Sequence, residues 1–348
     1  MSYNIIKYIE INKSKDWQEF PFNEIDALIF SLLSYIDFTN IVKKPITIKK
    51  AHELYKQHAP VKKTLKFFKE CLSLLEILAN SYRYQNLLLK NFLKSNNDEG
   101  QFAAITIKNR QFTFISFEGT DNNLVGWEED LKLSYQYPVF AQKMAQKYLN
   151  KAINLTDTKI YIGGHSKGGN LAIAATFNLN LINRFKIKSL YNFDGPGFLE
   201  EEINSIYFKR ISKKIKNYFP EESIVGILLN NPVTPVIVKS TNKKIMQHDP
   251  FSWLCSDSYF ITGELTKFSL VFKSKINNLL TKYSNEQKEL FINTIFKILY
   301  NSGYKETNEL LQIKIKNIYH LIKESIKLSK EEKEIIITAL KVLKEKTD

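Results

Sequence analysis

The sequence predicts an α/β protein: a mixed or parallel sheet flanked by helices, with helical additions at its N- and C-terminal ends. Three observations carry this. Between residues 96 and 266, short apolar runs of strand type alternate with segments of helical period, as they do in parallel and mixed sheets. One of those runs ends in a glycine-rich turn that leads straight into a helix of small residues. Before residue 96 and after residue 266 the apolar period is instead that of helices. The expected division is therefore residues 1–95 as a helical region packing on the core, 96–266 as the core, and 267–348 as a second helical region.

From Asn23 to about Leu93 the period is helical. Asn23 is a plausible cap for a helix in which Ile25, Leu28, Ile29, Leu32 and Ile36 recur at spacings of three and four. A second helix should begin near Thr47, and Pro60 can open a third whose buried stripe is Leu65, Phe68, Leu72, Leu75 and Leu78. The pattern breaks at Ser95–Gly100. Phe102–Ile107 and Phe112–Phe117, separated by Lys108-Asn109-Arg110, then read as a hairpin. A helix over Val139–Leu149, a strand Ile160–Ile162, a helix from Asn170, a strand Ser189–Phe193 and an extended segment Lys214–Phe219 follow. Beyond Lys267 the pairs Ser284/Gln287 and Ser329/Glu332 are spaced as capping boxes, and Ile315, Ile318, Ile322 and Ile326 mark one buried face.

Composition sets the broad class. Hydrophobic residues at 44% and charged residues at 25% are those of a globular chain. No run approaches the roughly 20 apolar residues of a membrane helix, and the start Met1-Ser2-Tyr3-Asn4 lacks a charged leader region. The expectation is a cytoplasmic protein, which suits two cysteines, Cys71 and Cys255, without metal-ligand spacing. The net charge of +14 is mostly Lys spread over helical surfaces. No nucleic-acid motif accompanies it, so no nucleic-acid partner is expected. The first reading of that charge is a solvated helical surface; the alternative is a weak contact of the Lys-rich outer faces of the flanking helices, 23–93 and 267–348, with an anionic membrane surface.

The residues that carry chemistry begin at Lys159-Ile160-Tyr161-Ile162-Gly163-Gly164-His165-Ser166-Lys167-Gly168. G-x-S-x-G between a strand and a helix is the turn that lifts a nucleophilic serine out of a sheet. A bulky residue at Gly164 or Gly168 would collide with neighbouring backbone. Ser166 would also sit at a helix N-terminus, where negative charge is favoured. A serine hydroxyl needs a base to take its proton. Of five histidines, His52, His58 and His320 fall in the flanking helical regions, and His165 should point away from the serine oxygen. His248 remains, downstream of the serine as the order nucleophile, acid, histidine requires. Two carboxylates compete for the role of acid: Asp194, ending the strand after the nucleophile helix, and Glu222, after the next extended segment. The usual topology favours Glu222. For the oxyanion, the N–H of Lys167 is one expected donor, and Phe117-Glu118-Gly119-Thr120-Asp121 offers a second.

Five ordered segments, Phe117-Glu118-Gly119-Thr120-Asp121, Gly126-Trp127-Glu128-Glu129-Asp130, Gly164–Ala172, Asp194-Gly195-Pro196-Gly197-Phe198 and His248-Asp249-Pro250-Phe251-Ser252-Trp253, together resemble the Mbeg1-like family, also known as DUF2974, which is related to the class 3 lipases. The resemblance runs from about Asn23 to Trp253. It implies an α/β-hydrolase-like fold, Ser166 as nucleophile, His248 as base and Thr120 as the hydroxyl residue of the oxyanion hole. Two departures stand out. Glu118 occupies a position where relatives usually have Arg, and Ser223 stands roughly where class 3 lipases carry their catalytic Asp. The expected function is a serine hydrolase of esterase or lipase-like type acting on a lipid-like ester, with no cofactor implied. The alternative is a binding or regulatory protein that keeps the fold with an incomplete triad.

Overall fold

The computed structural model describes residues 2–57, 65–121, 123–306, 321 and 323–344. It contains two compact units: the first holds residues 1–95, 102–119 and 141–269, the second 96–101, 120–140 and 270–348. Along the chain the helices used below are α1 (Ile5–Asn12), α2 (Glu24–Leu33), α3 (Ile48–Gln57), α4 (Lys66–Ala79), α5 (Leu124–Lys132), α6 (Phe140–Ala152), α7 (Lys167–Ala174), α8 (Leu181–Lys186), α9 (Glu200–Asn204), α10 (Ile206–Ile211), α11 (Lys267–Lys282), α12 (Asn285–Asn301) and α13 (Lys330–Lys344). The strands are β1 (Ile46–Thr47), β2 (Leu88–Asn97), β3 (Gly100–Lys108), β4 (Thr113–Phe117), β5 (Ile160–His165), β6 (Ile187–Phe193), β7 (Ile215–Pro220) and β8 (Val236–Val238), with a short hairpin of β9 (Cys255–Ser256) and β10 (Tyr259–Phe260).

Strands β1 to β8 form one mixed sheet in sequential order. β3 and β4 are the expected hairpin, antiparallel with Lys108 opposite Thr113 and Ala104 opposite Phe117. From β4 to β8 every pairing is parallel. Each of these strands therefore ends at the same edge as Ser166, and the loops that follow them gather there.

Side-chain alternation along β5 explains its two glycines. Gly163 faces α2, where an added Cβ would lie 3.1 Å from Ser31 Oγ and 2.9 Å from the Phe114 ring. Gly164 faces the opposite side, where the same atom would lie 2.3 Å from the Gly168 backbone. Two helices thus press on adjacent residues from opposite faces. α2 was expected to be amphipathic, but nine of its ten residues are buried, because the sheet lies on one side and α4 on another. Its start is a complete capping box between Asn23 and Asp26.

The helical expectation for 23–93 fails at its end. Leu88–Asn97 is β2, and Ile46–Thr47 pairs with it as β1. Leu88, Leu89, Phe92 and Leu93 fit a helical spacing, yet burial alternates along them, and Asn91 has φ 56°. Pairing with β3 overrides local period here. The helix near Thr47 is α3, its first turn held by Lys50 N–H donating to Thr47 Oγ1 at 3.2 Å. Pro60 and His58 lie outside the described residues; α4 buries Phe68, Cys71, Leu74, Leu75 and Leu78.

In the second unit, α5 and α12 share a cluster of Leu124, Ile292, Phe296 and Tyr304, and Leu279, Tyr283, Ile335 and Ala339 form another. Both predicted capping boxes are present, Ser284 with Gln287 and Ser329 with Glu332. Of the predicted isoleucine face, Ile315, Ile318 and Ile322 lie outside the described residues, and Ile326 is 67% exposed rather than buried, as the last helical residue before the turn at Lys327.

Candidate active site

The nucleophile turn follows from close packing. β5 ends at His165, Ser166 takes φ 58° and ψ −136°, and α7 begins at Lys167, three residues before the expected Asn170. A residue with a Cβ is strained at positive φ. The strain is held by the Ser166 N–H donating to Phe193 O at 2.9 Å and by Gly168, where an added Cβ would lie 2.2 Å from Phe117 O. Gly119 presses the end of β4 against the same turn; its Cβ would lie 2.5 Å from His165 O and 3.0 Å from Ser166 Cβ. Ser166 is 9% exposed, and among the described residues its hydroxyl has no hydrogen-bond partner.

One strand over, Asp194 follows β6 in the same way, with φ 52° and its N–H donating to Tyr218 O at 2.9 Å. Asn192 braces the turn, accepting from Gly195 N–H at 2.8 Å and donating to Asn217 Oδ1 at 3.0 Å. The Asp194 side chain is fully buried. Its Oδ2 lies 2.7 Å from His248 Nδ1. Its Oδ1 accepts from Ser223 Oγ at 2.5 Å and from Gly226 N–H at 3.0 Å. Three partners thus surround one buried carboxylate and fix its orientation.

The structure brings His248 to Asp194 and not to Glu222. Glu222 Oε2 instead accepts from Lys244 N–H at 2.5 Å and from Gln247 Nε2 at 3.2 Å, while its own N–H donates to Gln247 Oε1 at 2.8 Å. Glu222 therefore ties down the residues just before His248. At the end of β7, where the usual topology would place the acid, Ser223 supplies a hydroxyl that donates to the carboxylate on the neighbouring strand.

His165 has a task that the sequence did not reveal. Its Nε2 lies 2.8 Å from His248 O, and its Nδ1 lies 3.0 Å from Tyr35 Oη. Burial, and then the neighbouring His248, hold its pKa well below the usual 6.5, so the ring is neutral and carries one proton. A carbonyl can only accept, so the proton is assigned to Nε2 and the Tyr35 hydroxyl donates to Nδ1. The His165 and His248 rings lie 4.6 Å apart. His248 is thus fixed at both ends: its ring by Asp194, its carbonyl by His165. Trp253 Nε1 adds a bond to Gln247 O at 2.8 Å. A polar residue closing a largely buried strand is the sequence signal that pointed to this brace.

Lys167 is almost wholly buried, and Glu118 is buried as well, with its N–H donating to Ala103 O at 2.9 Å. Thr120 belongs to the second unit, where its hydroxyl donates to Asp130 Oδ2 at 2.5 Å. Among the described residues no group of three His, Cys, Asp or Glu is placed to hold a metal ion.

The sequence profile of the Mbeg1-like family matches residues 78–297, which is well over half of the chain. The chain belongs to the Mbeg1-like family. The match starts later than the motif-based resemblance and runs beyond Trp253 into α11 and α12, so part of the C-terminal helical region is family structure. No curated protein matches the chain.

Proposed function

We propose that this Mbeg1-like protein is a serine hydrolase that cleaves an ester through an acyl-enzyme on Ser166. The observation that supports it best is the Asp194–His248 pair at 2.7 Å, formed by a buried carboxylate one strand away from a serine in a strained turn. The relation to the class 3 lipases that the five Mbeg1-like motifs imply supports a lipid-like ester as substrate.

The steps follow from the partners of each group. Asp194 accepts from Nδ1–H of His248, which leaves Nε2 unprotonated and able to accept. As Ser166 Oγ bonds to the ester carbonyl carbon, its proton passes to Nε2, and Asp194 stabilises the resulting imidazolium. The developing oxyanion is held by the Lys167 N–H at the start of α7. The C–O bond to the leaving alcohol then breaks, and Nε2–H returns the proton to that oxygen. Water, deprotonated by the same nitrogen, attacks the acyl-enzyme and releases the acid. These steps use no cofactor. Within them the Ser166 hydroxyl must turn toward His248, and such bonds often close only when substrate is bound.

The same unengaged hydroxyl is what favours the second reading, a binding or regulatory protein that retains the fold. A fluorophosphonate probe separates the two without knowledge of the substrate. The expected result is covalent labelling of the native protein, mapped to Ser166, absent from Ser166→Ala and absent after denaturation. Labelling that persists in Ser166→Ala would move the nucleophile elsewhere, and no labelling of the native protein would favour the binding reading.

A further inference from the structure

The end of the sheet opposite Ser166 carries a surface that the proposed reaction does not use. Residues 141–160 and 181–193 hold seven Lys or Arg and a single acid, Asp157, which is buried and bonded to Lys108. On these stretches four large apolar side chains stand in water: Leu155 at 92% exposure in the loop before β5, and Leu181, Ile182 and Phe185 at 59%, 69% and 72% on α8. The loop and the helix form one surface, because Lys186 Nζ on α8 donates to Asn154 O at 2.8 Å and to Leu155 O at 3.1 Å.

Beside them the starts of three adjacent parallel strands each bring a lysine. Lys159 precedes β5, Lys188 is the extra residue of the bulge between β5 and β6, and Lys216 lies near the start of β7. The three line a cavity of about 420 Å³ together with Phe22, Tyr161 and Tyr191. Its one acid, Glu24, is already committed, Oε2 accepting from Tyr218 Oη at 2.8 Å and Oε1 from Phe260 N–H at 3.1 Å. Along α6, Lys143, Lys147 and Lys151 add an exposed stripe at intervals of four.

We propose that this surface docks on an anionic phospholipid bilayer, with Leu155, Ile182 and Phe185 entering the headgroup boundary and the lysines of the strand starts taking lipid phosphates. Exposed apolar groups ringed by one sign of charge mark an interaction site. Projecting apolar side chains suit a deformable apolar layer and have no use against a nucleic-acid backbone. A second copy of this chain is a poor occupant, since an isologous contact would set lysines against lysines. Among the described residues no helix is long and apolar enough to cross a membrane, so the contact is one of lying on the surface. β5 spans about 20 Å at six residues, which puts Ser166 on the side away from the lipid. The inference is independent of whether Ser166 is catalytic.

Co-sedimentation of the full chain with vesicles of phosphatidylcholine, or of phosphatidylcholine mixed equally with phosphatidylglycerol, tests it. Binding to the mixed vesicles alone, lost at high salt, is expected. Lys188→Ala and Lys216→Ala should each weaken it about fivefold, and Phe185→Ala about tenfold, with unchanged melting temperatures. Ser166→Ala should bind like the parent. No binding to the anionic vesicles, or binding that these variants leave intact, overturns the proposal. So does a concentration-dependent dimer abolished by Phe185→Ala, which would hand the surface to a second copy.

Discussion

Asp194→Asn is expected to slow fluorophosphonate labelling of Ser166 by about 10⁴-fold, the scale on which loss of a triad carboxylate acts, while Glu222→Gln slows it less than tenfold. The difference rests on what each oxygen touches. Asp194 Oδ2 is the acceptor for His248 Nδ1 at 2.7 Å, so an amide there either offers N–H to the ring or removes the charge that stabilises imidazolium. The first outcome leaves the wrong nitrogen protonated, and the second weakens the base. Glu222 reaches His248 only through the backbone of Lys244 and the side chain of Gln247, and an amide keeps one acceptor for Lys244 N–H. Ser223→Ala should fall between, about tenfold, because Oδ1 keeps the Gly226 N–H but loses the hydroxyl at 2.5 Å. Pseudo-first-order labelling rates measured across pH give all three. Equal rates for Asp194→Asn and the parent would remove Asp194 as the acid.

How much of this was legible in the sequence depends on how local each signal is. Ser166 could be read because its strand, turn and helix are contiguous and the glycines on either side have a steric reason to be there. His248 could be reached by elimination and chain order. The carboxylate that meets His248 could not, because Asp194 rather than Glu222 is brought there by contacts far apart in the chain, such as Ser223 reaching back across 29 residues. The brace from His165 joins residues 83 apart, and no local pattern encodes it. β2 was missed for the opposite reason: its leucines satisfy a helical period locally, and only pairing with β3 decides otherwise. The apolar surface of α8 was missed because six residues are too few to show a period.

Arg83→Met is expected to destabilise the protein by about 3–5 kcal/mol, because it leaves a buried carboxylate without its partner. Arg83 Nη2 lies 2.7 Å from Asp26 Oδ2, and both side chains are fully buried. Nε donates to Asp26 Oδ1 at 3.5 Å, Nη1 bonds Phe20 O at 2.7 Å and Asp16 O at 3.3 Å, and the guanidinium lies 3.7 Å from the centre of the Trp17 ring. Asp26 Oδ1 accepts from Tyr84 Oη at 2.6 Å, and burial, followed by the Asp26 charge, keeps that phenol protonated. One arginine therefore ties the loop before α2 to α2 itself and to the turn after α4. Lysine cannot replace it, since a single ammonium has neither the planar fork nor the face that stacks on Trp17. At 2–4 °C per kcal/mol for a domain of this size, the melting temperature should fall by roughly 6–20 °C. Adding Asp26→Asn to Arg83→Met should restore part of that loss, because the carboxylate's charge is what stays uncompensated. Thermal unfolding of both variants decides it: a fall of less than about 2 °C in Arg83→Met, or a further fall in the double variant, would show that the pair is not what holds α2 in place.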